Sequence, residues 1–287
     1  MSKYQAVCEE ITKEIIEEMK KGVLPWNKPW TGESPVLLAP KRHNGEYYRG
    51  INTVMLLVKA MNKGFASPYW MTFKQALELG GTIKKGEKST KVFYASKLEV
   101  KDDTNEDETI EIPYMKVYNV FNADQIEGLE DKYYYTPEPV ILNNDLVRNE
   151  QLDSFIDSLG IDYKYEGYQA YYSLTEDQIT MPEFNSFKTA QGFYATFFHE
   201  ITHWTGHKAR CERDMSQNKA SYAFEELIAE LGAAFLCAYK GIQPNIREDH
   251  APYIATWIKA LEDDPKTLFK AATKAQEALD FIINLSA

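Results

Sequence analysis

The chain has 287 residues, of which 44% are apolar, so it can bury a sizeable core and is not an intrinsically disordered protein. No window approaches the roughly 18 consecutive apolar residues of a membrane span, and the first residues lack the apolar stretch of a signal peptide. Its three cysteines are odd in number and far apart, as expected for free thiols in a reducing compartment. We therefore expect a cytoplasmic protein without a membrane partner.

The net charge of −11 is unevenly distributed along the chain. Residues 20–97 contain fourteen Lys and Arg but only four Glu, so this part carries +10 and the remainder −21. Such an asymmetry is typical of a protein in which one part binds a polyanion. A solvated lysine-rich surface explains the charge equally well, so charge alone leaves nucleic-acid binding open.

The first half of the chain predicts three helices followed by a hairpin. Apolar residues four apart, from Val7 to Met19, predict an amphipathic helix that ends at Gly22. A second helix is predicted from Asn52 to just before Gly64, and a third begins at the capping-box pair Thr72 and Gln75. Two β-prone runs, KVFYASKLEV and IPYMKVYNVF, predict a hairpin with an acidic, solvated tip.

The second half predicts mostly helices. An amphipathic helix ends at Gly160, and a short hairpin is predicted from GYQAYYSL and DQITMP. Longer helices are expected over about 187–204 and 221–239, with two more in PYIATWIKALE and PKTLFKAATKAQEALDFIINL. The predicted fold is α+β with two domains, residues 1–127 and 141–287, joined by a linker at 128–140, where GLEDKYYYTPEP has the composition of a connector.

The stretch FFHEITHWTGH contains the HExxH arrangement of metallopeptidases. His199 and His203 are four residues apart, so on a helix their side chains point the same way and can bind one Zn²⁺. The intervening Glu200 is turned roughly 100° aside, where it can activate water instead of binding the metal. The uncharged neighbours of this motif fit a helix buried behind an active site. The alternative is that both histidines are ordinary helical residues that bind no metal.

A catalytic zinc needs a third protein ligand, which we expect from the helix over 221–239. Glu226 is the predicted ligand, and Glu225 is the runner-up. Glu230, the only charged residue from Leu227 to Tyr239, is predicted to accept the second ring proton of a ligating histidine. His207 follows a glycine that ends the first helix, so we expect it to cap the helix or to support the ligands from outside the metal site.

These parts imply peptide hydrolysis. Zinc makes water more acidic and polarises a carbonyl, while Glu200 takes the water proton and passes it to the leaving amine. The strand DQITMP could offer its edge to an extended peptide. No oxyanion-stabilising residue stands out, and Tyr222 is one candidate among several tyrosines.

The chain resembles the ArdC-type antirestriction proteins of plasmids and phages. The resemblance covers nearly the whole chain and is carried by YYRGIN, YWMTFKQALELGGTIKKGEKSTKVFY and YNVFNADQIEGL in the first half, and by ITMPEF, YATFFHEITHWTGHKARCERD and YAFEELIAELGAAFL in the second. It implies a small α+β domain that binds single-stranded DNA, followed by a mainly helical zincin-like metallopeptidase domain with a short β-sheet. It also implies one catalytic Zn²⁺ held by His199, His203 and Glu226 in a gluzincin-like set, with Glu200 as the catalytic residue and an unidentified peptide or protein substrate.

Candidate DNA-binding residues combine cationic side chains, which attract phosphate, with aromatic faces, on which bases stack. The residues that we select on this basis are Arg42, Arg49, Lys84, Lys85, Lys88 and Trp70. Two other function classes stay open at this point. One is a DNA-shielding protein whose zinc is structural, and the other is a regulatory zinc peptidase whose basic half recruits a protein substrate.

Overall fold

The structure, a computed structural model, describes residues 3–22, 24–26, 38–102, 105–134, 146–216, 218–242 and 251–286. Its α+β class is the predicted one. The helices are α1 (Lys3–Met19), α2 (Ile51–Lys63), α3 (Phe73–Glu78), α4 (Glu150–Ser158), α5 (Ala190–Trp204), α6 (Lys219–Lys240), α7 (Ala251–Asp263) and α8 (Lys266–Leu285). The strands are β1 (Lys41–Arg42), β2 (Tyr69–Thr72), β3 (Thr82–Ile83), β4 (Thr90–Asp102), β5 (Asn105–Asn122), β6 (Ile126–Glu127), β7 (Tyr163–Tyr165), β8 (Tyr171–Ser173) and β9 (Gln178–Met181).

The predicted hairpin of the first half is confirmed as β4 and β5, which pair antiparallel. They form one edge of a four-stranded sheet with the order β1-β2-β5-β4, in which β1 and β2 are parallel. The pairing continues into the acidic stretch as far as Asp102 and Asn105, so the strands are longer than predicted. The ladder that starts at Thr90 and Val120 thus extends along residues that have low strand propensity.

In the first half, α3 begins and α2 ends at the residues that the capping patterns predicted. The capping box of α3 is confirmed, because the Thr72 side chain accepts from the Gln75 amide and the Gln75 side chain accepts from the Thr72 amide. Gly64 ends α2 with a φ of 69°, a left-handed conformation that glycine adopts without steric cost.

In the second half, β7, β9 and β8 form a three-stranded sheet in that order. The predicted hairpin is confirmed as β8 and β9, which pair antiparallel. However, β7 pairs with the other side of β9 in parallel, so β9 is the central strand. The prediction that the DQITMP strand offers a free edge is therefore wrong, and the edge beside β9 belongs to β8.

The packing of α5 against α6 positions the two segments that carry the HExxH motif and its downstream glutamates. All residues of α5 are buried except Gln191, as the uncharged neighbours of the motif predict. Along α6, residues 227–238 are all buried, Glu230 included. At Gly232 the helices approach so closely that an added Cβ would lie 2.4 Å from Cγ2 of Thr202, so only glycine fits there.

One hydrophobic core joins the two halves of the chain. It includes Ile11 of α1, Leu56 of α2, Phe235 of α6, Trp257 of α7 and Leu268 of α8. The last two helices therefore pack on the first half as well as on α6: α7 contacts α1, and α8 contacts α2. This arrangement was not predicted, because the sequence indicates which face of each helix is apolar but not the surface against which that face packs.

The described part of the predicted linker, residues 128–134, packs against the first half. Leu129 and Tyr133 are buried in a small cluster with Met71 and Ile126. The other predicted linker residues, 135–140, lie outside the described ranges, and the domain boundary stays a prediction. None of the described helices is long and apolar enough to cross a membrane.

Candidate metal centre

Three donor groups from two helices converge beside the HExxH helix. Because His199 and His203 are one helical turn apart on α5, their rings lie together, with the Nε2 atoms 3.1 Å apart. Glu226 of α6 faces both rings, and its carboxylate oxygens lie 3.5 Å from each Nε2 atom. These three are the predicted metal ligands, and they form the group of donors that could hold a metal ion within the described part of the chain.

The opposite ring nitrogens of both histidines face carboxylates. His199 Nδ1 lies 2.9 Å from Oε1 of Glu230, which is the predicted partner. His203 Nδ1 lies 3.1 Å from Oε1 of Glu225. A carboxylate at Nδ1 keeps the proton on that nitrogen and leaves the lone pair of Nε2 available. Glu225, the runner-up ligand, is therefore placed behind His203 and not among the three converging donors.

This arrangement fits a divalent cation. With both Nδ1 atoms protonated, two Nε2 lone pairs and a carboxylate face one another at 3.1 to 3.5 Å and repel unless a cation lies between them. Ligand atoms 2.0–2.1 Å from a tetrahedral Zn²⁺ are roughly 3.3 Å apart, which agrees with the spacing of these donors. The residues present thus fit a divalent ion such as Zn²⁺, with these three side chains as the donors.

Electrostatics confirm that the triad attracts positive charge. Burial disfavours a charged His203, but hydrogen bonds to Glu225 and Glu226 outweigh it and raise the pKa of this imidazole to about 10. Burial also opposes ionisation of Glu226, yet hydrogen bonds from His199 and His203 lower its pKa well below the ordinary value. These groups therefore favour positive charge, and a divalent ion that binds them would displace protons.

Arg213 holds Glu225 in place. Its side chain is only 3% exposed, and its Nη2 and Nε atoms lie 2.7 and 2.9 Å from the two carboxylate oxygens of Glu225. The same guanidinium donates to the Thr202 carbonyl and to Thr205 Oγ1 at the end of α5. A chain of contacts thus runs from Arg213 through Glu225 to His203 and fixes the ring of this histidine.

Replacing Arg213 with Gln is expected to weaken zinc binding by roughly 10–100-fold, the usual effect of losing a group that orients a metal ligand. Because it leaves the Glu225 carboxylate buried without its cation, unfolding free energy should also fall by about 3–5 kcal/mol. Chelator competition measures the first effect and urea unfolding the second. Lys208, which is exposed, provides the matched control: Lys208→Gln should change neither quantity. Equal zinc affinity in Arg213→Gln and the wild type would contradict this role.

The metal triad opens into a cavity of about 440 Å³ that Glu200 also lines. Glu200 is 3% exposed and lies outside the donor triad, as predicted for a residue that acts on water. Its lining includes Tyr171 and Tyr172 of β8 together with Tyr222 and Tyr253. The cavity therefore combines an edge strand with phenol groups from α6 and α7.

His207 does not join the donor triad. It lies in the turn after α5, where its Nδ1 atom accepts a hydrogen bond from the Ala209 amide at 3.1 Å. This contact lies within the turn that follows the helix, and both expected roles of His207, as a helix cap or as a support for the ligands, stay predictions. No contact between His207 and the three converging donors is seen.

Trp70 disagrees with its predicted role in DNA binding. Its side chain is 1% exposed and packs edge-on against Phe65, with the ring centroids 5.8 Å apart. A ring buried in this way has no face on which a base could stack. The sequence could not reveal this, because the pattern around an aromatic residue in a short strand does not indicate whether its side chain points into the core or outward.

The five predicted cationic residues lie at the surface. Lys84, Lys85 and Lys88 are exposed on the loop that turns at Gly86, and we call this segment, residues 84–88, the lysine loop. Arg42 is paired with Glu46 at 3.2 Å, and Arg49 is paired with Asp280 of α8 through both of its Nη atoms. The lysine loop therefore offers more available positive charge than the two arginines.

Two residues of the site, Arg213 and Tyr253, carried no usable sequence signal, and Glu225 was predicted as the runner-up ligand and not as the partner of His203 Nδ1. Arg213 reads as one charge in the polar run KARCERD, and only its burial reveals its role. Tyr253 lies on α7, 27 positions after Glu226, so no local pattern connects it to the site. The role of Glu225 depends on the rotation of α6, which is set by packing at Gly232.

Comparison with known proteins agrees with this architecture. Residues 5–121 match the N-terminal domain of anti-restriction factor ArdC, and residues 150–274 match a zincin-like metallopeptidase domain. A curated relative is the uncharacterised protein y4eC of Sinorhizobium fredii (strain NBRC 101917 / NGR234), 34% identical over 96% of this chain and 91% of its own length. A DNA primase TraC of Escherichia coli is 33% identical over 96% of this chain, which spans only 27% of that protein.

Two crystal structures of the antirestriction protein ArdC from plasmid R388 are similar over almost the whole chain. The metal-free one is 42% identical, with a TM-score of 0.84 over all of this chain and 98% of that chain. The Mn(II)-bound one is 41% identical, with a TM-score of 0.79 over 98% of both chains. Since both domains, their order and the full length agree with these relatives, the chain belongs to the ArdC family of antirestriction proteins.

Proposed function

We propose that this antirestriction protein binds single-stranded DNA through its first half and hydrolyses peptide bonds with one Zn²⁺ held by His199, His203 and Glu226. The observation that carries the peptidase is the triad itself: two Nε2 atoms and a carboxylate converge at 3.1 to 3.5 Å, with a carboxylate behind each imidazole. The Mn(II)-bound form of the R388 relative supports a divalent ion in this fold, and the donor set of two imidazoles and one carboxylate favours zinc.

When bound, zinc would supply Lewis acidity, which makes water more acidic and a carbonyl more electrophilic. The residues of the chain do the rest. Glu200, buried at the wall of the cavity, takes a proton from the attacking water and returns it to the leaving amine. The Tyr222 phenol lines the same cavity and can donate a hydrogen bond to the carbonyl oxygen as negative charge develops on it.

The substrate is proposed to be an extended peptide that pairs with β8. This strand is an edge of its sheet and contributes lining residues to the cavity beside Glu200, so an extended peptide could pair with its outer side there. Arg210 stabilises this wall through ion pairing with Asp177, which in turn accepts a hydrogen bond from Tyr172 of β8. The wall is thus fixed before a peptide binds, which lowers the entropic cost of binding.

DNA binding is proposed to begin at the lysine loop. Its three exposed lysines lie in the part of the chain that matches the ArdC N-terminal domain, and their side chains can follow a flexible phosphate backbone. Phe73, which is 54% exposed at the start of α3, presents an open aromatic face in the same half. Trp70 is left out of this proposal because it is buried.

A salt titration tests the DNA binding. Replacing Lys84, Lys85 and Lys88 with Gln should weaken binding to a single-stranded oligonucleotide and reduce the slope of log K against log salt by about 0.7 for each lost phosphate contact. Fluorescence anisotropy from low to high salt measures both. Lys208, Lys219 and Lys259, exposed in the second half, give a control with the same change in charge, and their replacement should leave the slope unchanged. Equal slopes for the two triple variants would rule out the lysine loop as the DNA contact.

A further inference from the structure

A second cavity lies between the two halves, at the other end of α6 from the metal triad. Its volume is about 600 Å³, against about 440 Å³ for the cavity beside Glu200, and lies in the range of small-molecule sites. Three tyrosines, Tyr47, Tyr48 and Tyr239, line it together with residues of α8. We call it the tyrosine cavity.

We propose that the tyrosine cavity binds one unpaired nucleobase of single-stranded DNA. The inference rests on the DNA binding proposed above and adds a specific site to it. It also extends the DNA-binding surface to α6 and α8, beyond the part of the chain that matches the ArdC N-terminal domain.

Direct hydrogen bonds between the halves hold the walls of the cavity. The Ala39 amide donates to the carbonyl of Ala238 at the end of α6, at 2.9 Å. The Gly50 amide donates to Oε1 of Gln276 on α8, also at 2.9 Å. The cavity is therefore already formed in the absence of a ligand, as in most binding pockets.

The aromatic lining suits a flat ring. Tyr47 is 40% exposed and meets Tyr239 of α6 with ring centroids 5.4 Å apart, so the two halves each contribute one phenol to the same corner. Tyr48 is 9% exposed and forms the floor, with the Arg42 guanidinium 5.6 Å from its ring centre. A base of any identity can stack on the more exposed rings, Tyr47 and Tyr239, since every base has a π face.

The charges of the lining favour a base over a phosphate. Both arginines at the cavity are paired with carboxylates, Arg42 with Glu46 and Arg49 with Asp280, so these four groups sum to zero. A phosphate that bound either of these guanidinium groups would have to break its pair. A neutral base needs only hydrogen-bond donors and acceptors at its edge, and the same guanidinium and carboxylate groups supply both.

The tyrosine cavity is far enough from the metal triad to act at the same time. Tyr239 follows Glu226 by 13 positions on α6, and a rise of about 1.5 Å per residue separates them by roughly 20 Å. A base bound between the halves would leave the cavity beside Glu200 open to a peptide. The zincin-like half would thereby be anchored to the DNA through its own helix.

The test compares Tyr47→Ala and Tyr239→Ala with the wild type in binding a single-stranded oligonucleotide. Each variant should bind roughly 5- to 100-fold more weakly, as when one base–aromatic stack is lost, with no change in the slope of log K against log salt. Abasic substitution throughout the oligonucleotide should weaken binding to the wild type more than to Tyr239→Ala. Tyr168, 95% exposed and outside the cavity, is the control, and Tyr168→Ala should bind like the wild type.

A measurement on the unaltered protein guards against misfolded variants. An oligonucleotide that carries 5-iododeoxyuridine should cross-link on irradiation to Tyr47, Tyr48 or Tyr239, as mapped by mass spectrometry. Wild-type affinity in both variants, an equal abasic effect in all proteins, or cross-links confined to other residues would each overturn the nucleobase site while leaving DNA binding intact. Absence of oligonucleotide binding by the wild type at low salt would instead overturn the DNA binding on which the inference rests.

Discussion

The Glu200→Gln variant is expected to hydrolyse peptides roughly 10²–10⁴-fold more slowly than the wild type, while it keeps its zinc. The amide has the same shape as the carboxylate but cannot accept the proton of the attacking water. Glu200 lies outside the donor triad, so its replacement removes no metal ligand. A library of quenched fluorescent peptides measures hydrolysis, and elemental analysis measures zinc.

The control for this variant is Glu183→Gln, which makes the same chemical change at an exposed carboxylate of the same half. It should keep the wild-type rate. Full hydrolysis by Glu200→Gln would refute the assignment of the general base. The same variant separates two functions in cells that carry a restriction system: if it protects incoming DNA as well as the wild type does, antirestriction depends on DNA binding and not on peptide hydrolysis.

Zinc is expected to raise the stability of the protein strongly. A ligand that binds only the folded state at a free concentration about 1,000 times its Kd adds about 4 kcal/mol to the unfolding free energy. For a chain of this size we expect Tm to rise by roughly 10 °C. The gain arises because zinc binds the folded state, in which the three donors are assembled, and not the unfolded chain. Scanning calorimetry with excess zinc and with a chelator gives the difference.

The matched variants for this measurement are Glu226→Gln and Glu262→Gln. The first removes the carboxylate from the donor triad, so most of the zinc-dependent shift in Tm should disappear. The second removes a half-exposed carboxylate that pairs with Lys20 far from the site, and the shift should stay. A wild-type Tm that is the same in zinc and in chelator would show that the triad binds no metal under these conditions.

Local patterns predicted the elements that carry the site. The four-residue spacing of His199 and His203 is enough to place both rings on one side of a helix, because the helical period depends only on the backbone. The same period placed Glu226 and Glu230 on one face of α6. Caps and turns behaved in the same way: Thr72, Gly64 and the β4–β5 hairpin all lie where their short-range signals predicted.

Several features depended on contacts between elements that are far apart in the sequence. Whether Glu225 or Glu226 faces the histidines is decided by the rotation of α6 against α5, and this rotation depends on the contact of Gly232 with Thr202. Burial of Trp70 in the core that joins the two halves, and of the Arg213 side chain, could not be read from local patterns in the chain. The central position of β9 followed from the parallel pairing of β7.

The amino-acid sequence therefore established the α+β class, the helical HExxH motif, its downstream glutamates and the resemblance to ArdC proteins, because each depends on residue identity and short-range periodicity. Tertiary structure alone decided which carboxylate faces which imidazole, which strand forms the edge beside Glu200, and that α8 closes a tyrosine-lined cavity with the first half. The physical reason is that periodicity determines which face of an element is apolar, whereas its partner and its rotation result from the shape and charge of surfaces contributed by distant segments.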